Sequence, residues 1–143
     1  MRVLALRGAH VLATGRTLGK IIRASEGMTG TITPLALELT DLDSVNRCTT
    51  TIAEIGLNPD MVICNAGIYP FGGLELIDGV EKVFFTNFLG HFVLVNNLLP
   101  AMQQRGSGRF VHVSSDSAYN QAPAVGIDFD NLCGEGAFDA GEA

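Results

Sequence analysis

Two hydrophobic rhythms alternate along the chain. Short, largely apolar runs occur at 9–14 (AHVLAT), 33–39 (TPLALEL), 60–67 (DMVICNAG) and 108–115 (GRFVHVSS). Runs of this length, closed by turn residues or a polar step, predict strands. Between them, polar and apolar positions recur at helical spacing in 17–27 (TLGKIIRASEG), 41–56 (DLDSVNRCTTTIAEIG) and 78–106. Gly27 and Gly56 stop the first two, and Asp41 and Asp43 give the second the negative start that a helix dipole favours. Pro100 predicts a kink or a break in the third, because it lacks the amide hydrogen that helix continuation needs. Residues 1–8 (MRVLALRG) read as the end of a helix stopped by Gly8.

Nearly all-apolar strands alternating with helices predict a parallel sheet covered on both faces, the α/β doubly wound class. There is no internal repeat, low-complexity tract or linker, so residues 1–143 are expected to form a single domain. A hydrophobic content of 47% is enough to build a core and argues against disorder.

The formal net charge of −6 argues against nucleic acid as a partner. That charge is unevenly spread. Residues 1–25 hold Arg2, Arg7, Arg16, Lys20 and Arg23 and no acid, whereas 127–143 hold five acids and no base. The acidic tail is expected to be a solvated loop. Three cysteines, Cys48, Cys64 and Cys133, are an odd number without CxxC spacing and suit a reducing, cytoplasmic setting. His10, His91 and His112 are scattered, so no metal site is expected. No signal-peptide pattern and no apolar stretch long enough for a bilayer are recognised, so a soluble protein without a membrane segment is expected.

Candidate chemistry begins at the end of the last strand, where Phe110–Val113 runs into Ser114 and Ser115. Hydroxyls delivered at the carboxyl end of a strand sit where ligands bind in open α/β sheets. The other reading of Ser114 is simply the polar end of a strand. Phe84, Phe85, Phe88 and Phe92 are expected in the core, with Cys64 as a small buried apolar residue and His112 as structural.

Three short stretches resemble the short-chain dehydrogenase/reductase family. Cys64-Asn65-Ala66-Gly67 resembles its Asn-Asn-Ala-Gly motif, with Cys64 at the first position. FFTNFLGHF (84–92) is similar to the helix that carries the family's active-site asparagine, here Asn87. Val113-Ser114-Ser115 resembles the strand end that supplies the active-site serine, with Ser115 the better match. The tail 126–143 resembles the loop of the retinol-dehydrogenase-like branch.

The resemblance implies a Rossmann-like fold and hydride transfer between a nicotinamide cofactor and an alcohol or carbonyl, with an apolar substrate. It assigns Ser115 to polarising the substrate oxygen and Asn87 to ordering a relay water. It places Arg16, Glu38, Leu39, Asn65, Ala66 and Gly67 along the adenine and ribose side of the cofactor. A base at Arg16 favours the 2′-phosphate of NADP over NAD. The family's proton donor is a tyrosine followed four residues later by lysine. Tyr119 is followed at that spacing by Pro123, and no lysine comes after Lys82, so Tyr119 is rejected for the role. No glycine-rich phosphate loop precedes Gly8 either. A central fragment, inactive alone, is therefore expected, with the family's first strand missing between 9–14 and 60–65. The family assembles through helices including the counterpart of 78–106, which leaves a homo-oligomer open. The rival expectation is a non-catalytic Rossmann-like binding or interaction piece.

Overall fold

The computed structural model describes residues 1–69, 72–116, 120, 126 and 128–136. It opens with a short helix, α1 (Arg2–Leu6), followed by β1 (Val11–Gly15), α2 (Leu18–Ser25) and β2 (Ile32–Ala36). Helix α3 (Leu42–Glu54) leads to β3 (Met61–Cys64), and a small hairpin follows from β4 (Leu76–Ile77) and β5 (Val80–Glu81). One helical turn, α4 (Lys82–Phe84), passes through a π-helical turn at Phe85–Leu89 into α5 (Gly90–Arg105), and β6 (Arg109–His112) comes last. The four strands and three main helices expected from the hydrophobic pattern are all present.

Strands β1 and β2 pair in parallel, with Val11 opposite Ile32 and Gly15 opposite Ala36. Strands β3 and β6 also pair in parallel, with Met61 opposite Arg109 and Cys64 opposite His112. The hairpin β4–β5 is a separate antiparallel pair. Among the described residues β1 and β3 are not bonded to each other, so the parallel sheet is incomplete at its centre.

A shared core nevertheless spans both parallel pairs. Leu35, Leu37 and Leu39 alternate along β2 and its exit and meet Val45, Cys48 and Ile52 of α3. Leu94, Leu98 and Met102 of α5 close the same cluster, and Leu12, Val62 and Phe110 pack against it from the other strands. Fully burying an aliphatic side chain contributes about 1.5–3 kcal/mol, so this cluster holds the two pairs under one pair of helices. Helix α2 lies on the opposite face of β1, where Ile21 occupies the space a Cβ on Gly15 would need. Helices on both faces of parallel strands make the fold the doubly wound, Rossmann-like class.

Four expectations need correction. The segment 78–106 is not one helix, because Asp78 and Gly79 take φ of 51° and 79° and make a hairpin turn. The helix starts only after Glu81, whose carboxylate accepts from the amides of Val83 (2.8 Å) and Phe84 (2.7 Å). Pro100 lies on the exposed side of α5 and is tolerated there, and the irregularity falls instead at the π turn. Phe88 and Phe92, expected in the core, are about half exposed and stack along the helix with Phe84, whereas Phe85 is buried.

The last correction concerns length. Lys82–Arg105 is a continuous run of 24 residues with mean hydropathy 1.3, long and apolar enough to cross a membrane by length and composition. Thr86, Asn87, His91, Asn96 and Asn97 interrupt the apolar positions, so the sequence does not read as one long apolar stretch. Leu94, Leu98 and Met102 use one side of it for the core, and core helices pass the same test.

Candidate functional site

Four of the predicted segments lie just beyond the carboxyl ends of parallel strands. Arg16 follows β1, Glu38–Leu39 follow β2, Asn65–Gly67 follow β3 and Ser115 follows β6. That common edge is where an open α/β sheet offers its ligand crevice. Asn87 reaches the same edge from the π turn, a geometry often found at functional sites.

The loop after β3 is held at several points. The Val113 amide donates to the Cys64 carbonyl (3.1 Å), which ties the start of the loop to the exit of β6. Asn87 makes a reciprocal pair with Ile68: its Nδ2 donates to the Ile68 carbonyl (2.9 Å), and its Oδ1 accepts from the Ile68 amide (2.8 Å). A Cβ on Gly67 would lie 3.3 Å from the Asn87 Oδ1, so glycine gives the clasp its room. His91, one turn further along the helix, reaches the Ala66 carbonyl through Nε2 (2.8 Å). Asn65, Ala66, Gly67 and Asn87 are thus brought together beside the strand that leads to Ser115. Ser115 itself is exposed.

Arg16 stands on the other parallel pair. It is exposed and forms no ion pair among the described residues. Thr17 beside it caps α2, its side-chain oxygen accepting from the Lys20 amide (3.4 Å). Arg16, Lys20 and Arg23 therefore give this end of the molecule positive charge within an acidic chain.

The exits of β1 and β2 are joined where the Leu37 amide donates to the Gly15 carbonyl (2.8 Å). Glu38 curls onto its own turn. Its Oε1 accepts from the amide (3.2 Å) and hydroxyl (2.9 Å) of Thr40, and its amide donates to the Ser44 hydroxyl (3.0 Å). Leu39 is 6% exposed and belongs to the core, so its side chain offers little surface to a ligand. A Cβ on Gly90 would overlap the Leu39 backbone, which brings the start of α5 against the exit of β2. That contact carries the Asn87 helix across from one parallel pair to the other.

Burial raises the thiols of Cys48 and Cys64 above their ordinary value. Both are therefore poor nucleophiles. Among the described residues no cluster of three metal-ligating side chains exists. Tyr119, rejected as the proton donor, lies outside the described residues, as do 121–125, 127 and 137–143 of the tail.

The sequence pattern passed over Glu81, His91 and the Ile68 backbone. Asp78-Gly79 with an acid two residues later was the available signal for the cap at Glu81. For His91 it was the four-residue spacing from Asn87, which places both on one helix face.

A family model described as short chain dehydrogenase matches residues 1–127. Short-chain dehydrogenase TIC 32 A, chloroplastic, of Brassica napus is 34% identical over 144 residues, covering 92% of this chain and 44% of that protein. Retinol dehydrogenase 8 of Bos taurus is 37% identical over 125 residues, covering 78% of this chain and 39% of that protein. The chain thus spans less than half the length of either relative. A crystal structure of a metagenomic short-chain oxidoreductase in complex with NADP matches with TM-score 0.71 and 26% identity, over 85% of this chain and 57% of that one. With matching motifs on the matching strand ends, the chain belongs to the short-chain dehydrogenase family.

Proposed function

We propose that the chain forms the adenine-side and serine-bearing part of an NAD(P)-dependent oxidoreductase acting on a small apolar alcohol or carbonyl. The observation that carries this reading is the convergence of Arg16, the 64–68 loop and Ser115 on one edge of the strands, with Asn87 pinning the loop. The nicotinamide cofactor, when bound, supplies or accepts the hydride at the substrate carbon. This chain's residues fit such a group at two places. Gly67 leaves a side-chain-free approach to the loop, and Arg16 presents at the exit of β1 an exposed guanidinium with no ion pair among the described residues.

The role of each residue follows from its chemistry. Ser115 donates a hydrogen bond to the substrate oxygen and stabilises the negative charge that grows there. Asn87 has its side chain committed to Ile68, so it fixes the helix and loop relative to each other and leaves its backbone to order a water. Asn65, Ala66 and Gly67 line the ribose side, while Glu38 and Leu39 bound the adenine side through their backbone turn. Arg16 binds the 2′-phosphate and favours NADP, with NAD the weaker alternative.

The apolar substrate class is supported by the likeness to retinol dehydrogenase 8. A cytoplasmic setting is supported by the three free cysteines. The exposed phenylalanines of the long helix support a homo-oligomer.

Cofactor titration tests the reading. NADPH is expected to bind more tightly than NADH, and Arg16→Ala to weaken NADPH about tenfold or more while barely changing NADH. Equal affinity for the two before and after the substitution, or no saturable binding, contradicts it.

A further inference from the structure

We propose that His91 is a positioning residue for the cofactor-side loop, acting through the Ala66 carbonyl. This inference rests on the reading that the loop 64–68 borders the cofactor. His91 is 7% exposed, and its Nε2 lies 2.8 Å from the Ala66 carbonyl oxygen, 25 residues away in sequence. A carbonyl oxygen only accepts, so Nε2 carries the hydrogen. Nδ1 is buried and has no partner among the described residues. A buried nitrogen left without a partner is costly, and few are retained in folded proteins. Leucine or phenylalanine would fill this space without that cost, so packing alone does not account for an imidazole here.

What the imidazole adds is one directed donor. Asn87 and His91 sit four residues apart on the same helix, and each reaches the loop: Asn87 at Ile68, His91 at Ala66. Two grips on either side of Gly67 fix the peptide planes of 66–67 and 67–68. A single grip at Ile68 would leave the Ala66 carbonyl free to turn. The loop backbone has no side chain at Gly67 to hold it, so these two contacts fix its turn beyond the tie at Cys64. A site needs its walls held to within about half an ångström by such supporting residues. His91 therefore sets the orientation of the backbone that a ribose would meet, without touching the ligand.

Two variants, compared with the wild type, separate this role from packing. His91→Phe keeps a ring of similar bulk without the donor, His91→Gln places an amide donor at comparable reach, and wild type is the reference. Amide hydrogen exchange and NADPH titration are run on each, with nitrogen–proton correlation spectra of the wild-type imidazole. The expected result is an Nε2–H tautomer in the wild type. In His91→Phe, exchange at Ala66, Gly67 and Ile68 accelerates about fivefold, α3 keeps its protection, and the NADPH dissociation constant rises by a similar factor. His91→Gln recovers both. An Nδ1–H tautomer, or unchanged loop exchange in His91→Phe, overturns the clasp. A loosened loop with unaltered NADPH affinity overturns its link to the cofactor while the Arg16 reading stands. Absence of NADPH binding in the wild type overturns the functional reading itself, and the positioning role with it.

Discussion

Cys64 and Cys48 show how a residue's surroundings decide its chemistry. Each is about 95% buried or more, and burial pushes its thiol up by disfavouring the charged thiolate. Cys133 is only partly buried. Limited alkylation at neutral pH should therefore modify Cys133 first, with Cys48 and Cys64 slower by about tenfold or more. Peptide mapping after partial reaction checks this, and early modification of Cys64 would mean that the 64–68 loop opens. The strand-end positions of Arg16, Asn65 and Ser115 were legible in the sequence, because each lies at or just past the end of a strand-like run. His91 was not, since its value depends on a carbonyl that only the folded loop brings to it. Leu39 was legible as a strand exit, but its 6% exposure is a property of packing against Gly90.

At the scale of elements, capping explains why the helices begin where they do. Asp41 accepts from the Ser44 amide (3.0 Å) and pairs with Arg47 (3.1 Å), and these hold its carboxyl below the usual aspartate range. A carboxyl lowered in the folded state adds stability above its unfolded value of about 3.9, and that contribution is lost as pH falls through the folded value. Acidification below the ordinary aspartate range should therefore fray the start of α3, seen as faster exchange at Ser44 and Val45. Asp41→Asn should keep the cap and flatten this pH dependence, because the amide still accepts but does not titrate. An unchanged acid dependence in Asp41→Asn would assign the fraying elsewhere.

The acidic start and glycine stop made α3 legible in the sequence. The hairpin at 76–81 was not, because two-residue strands carry too little alternation to register. The apolar run that follows them extends the helical rhythm backward over the turn. Arg105 shows a further element-level tie hidden from sequence. It donates to the carbonyls of Asn58 (2.6 Å) and Pro59 (2.8 Å) and so anchors the end of α5 to the entry of β3.

Over the whole molecule, the two parallel pairs share a core and leave a seam between them. The Val11 amide bonds Thr31 and the Gly15 carbonyl accepts from Leu37, so Val11, Ala13 and Gly15 face β2 while Leu12 and Thr14 turn their amides to the seam. The same alternation on β3 gives Val62 and Cys64 to β6 and turns Met61 and Ile63 toward the seam. Exchange on a proven monomer should follow this period of two, with Leu12, Thr14, Met61 and Ile63 faster than their neighbours by about tenfold. Strong uniform protection along both strands would show the seam closed. The α/β class was visible in the alternation of strands and helices, and the incomplete centre was visible in the order of motifs. The stack of Phe84 with the exposed Phe88 and Phe92 was not, because its spacing is the same as that of a core stripe.

We propose that Arg16, Glu38, Asn65–Gly67 and Ser115 form one nicotinamide-cofactor surface along the strand ends. Residue-resolved nuclear magnetic resonance of the chain, titrated with NADPH and then with NADH, tests it most directly. We expect saturable shifts at Arg16, Glu38, the 65–68 backbone and Ser115, larger with NADPH at Arg16, and none on the exposed face of α3 at Arg47 or Thr50. Saturable shifts centred on α3, or no saturable shift along the strand ends with either nucleotide, would contradict it.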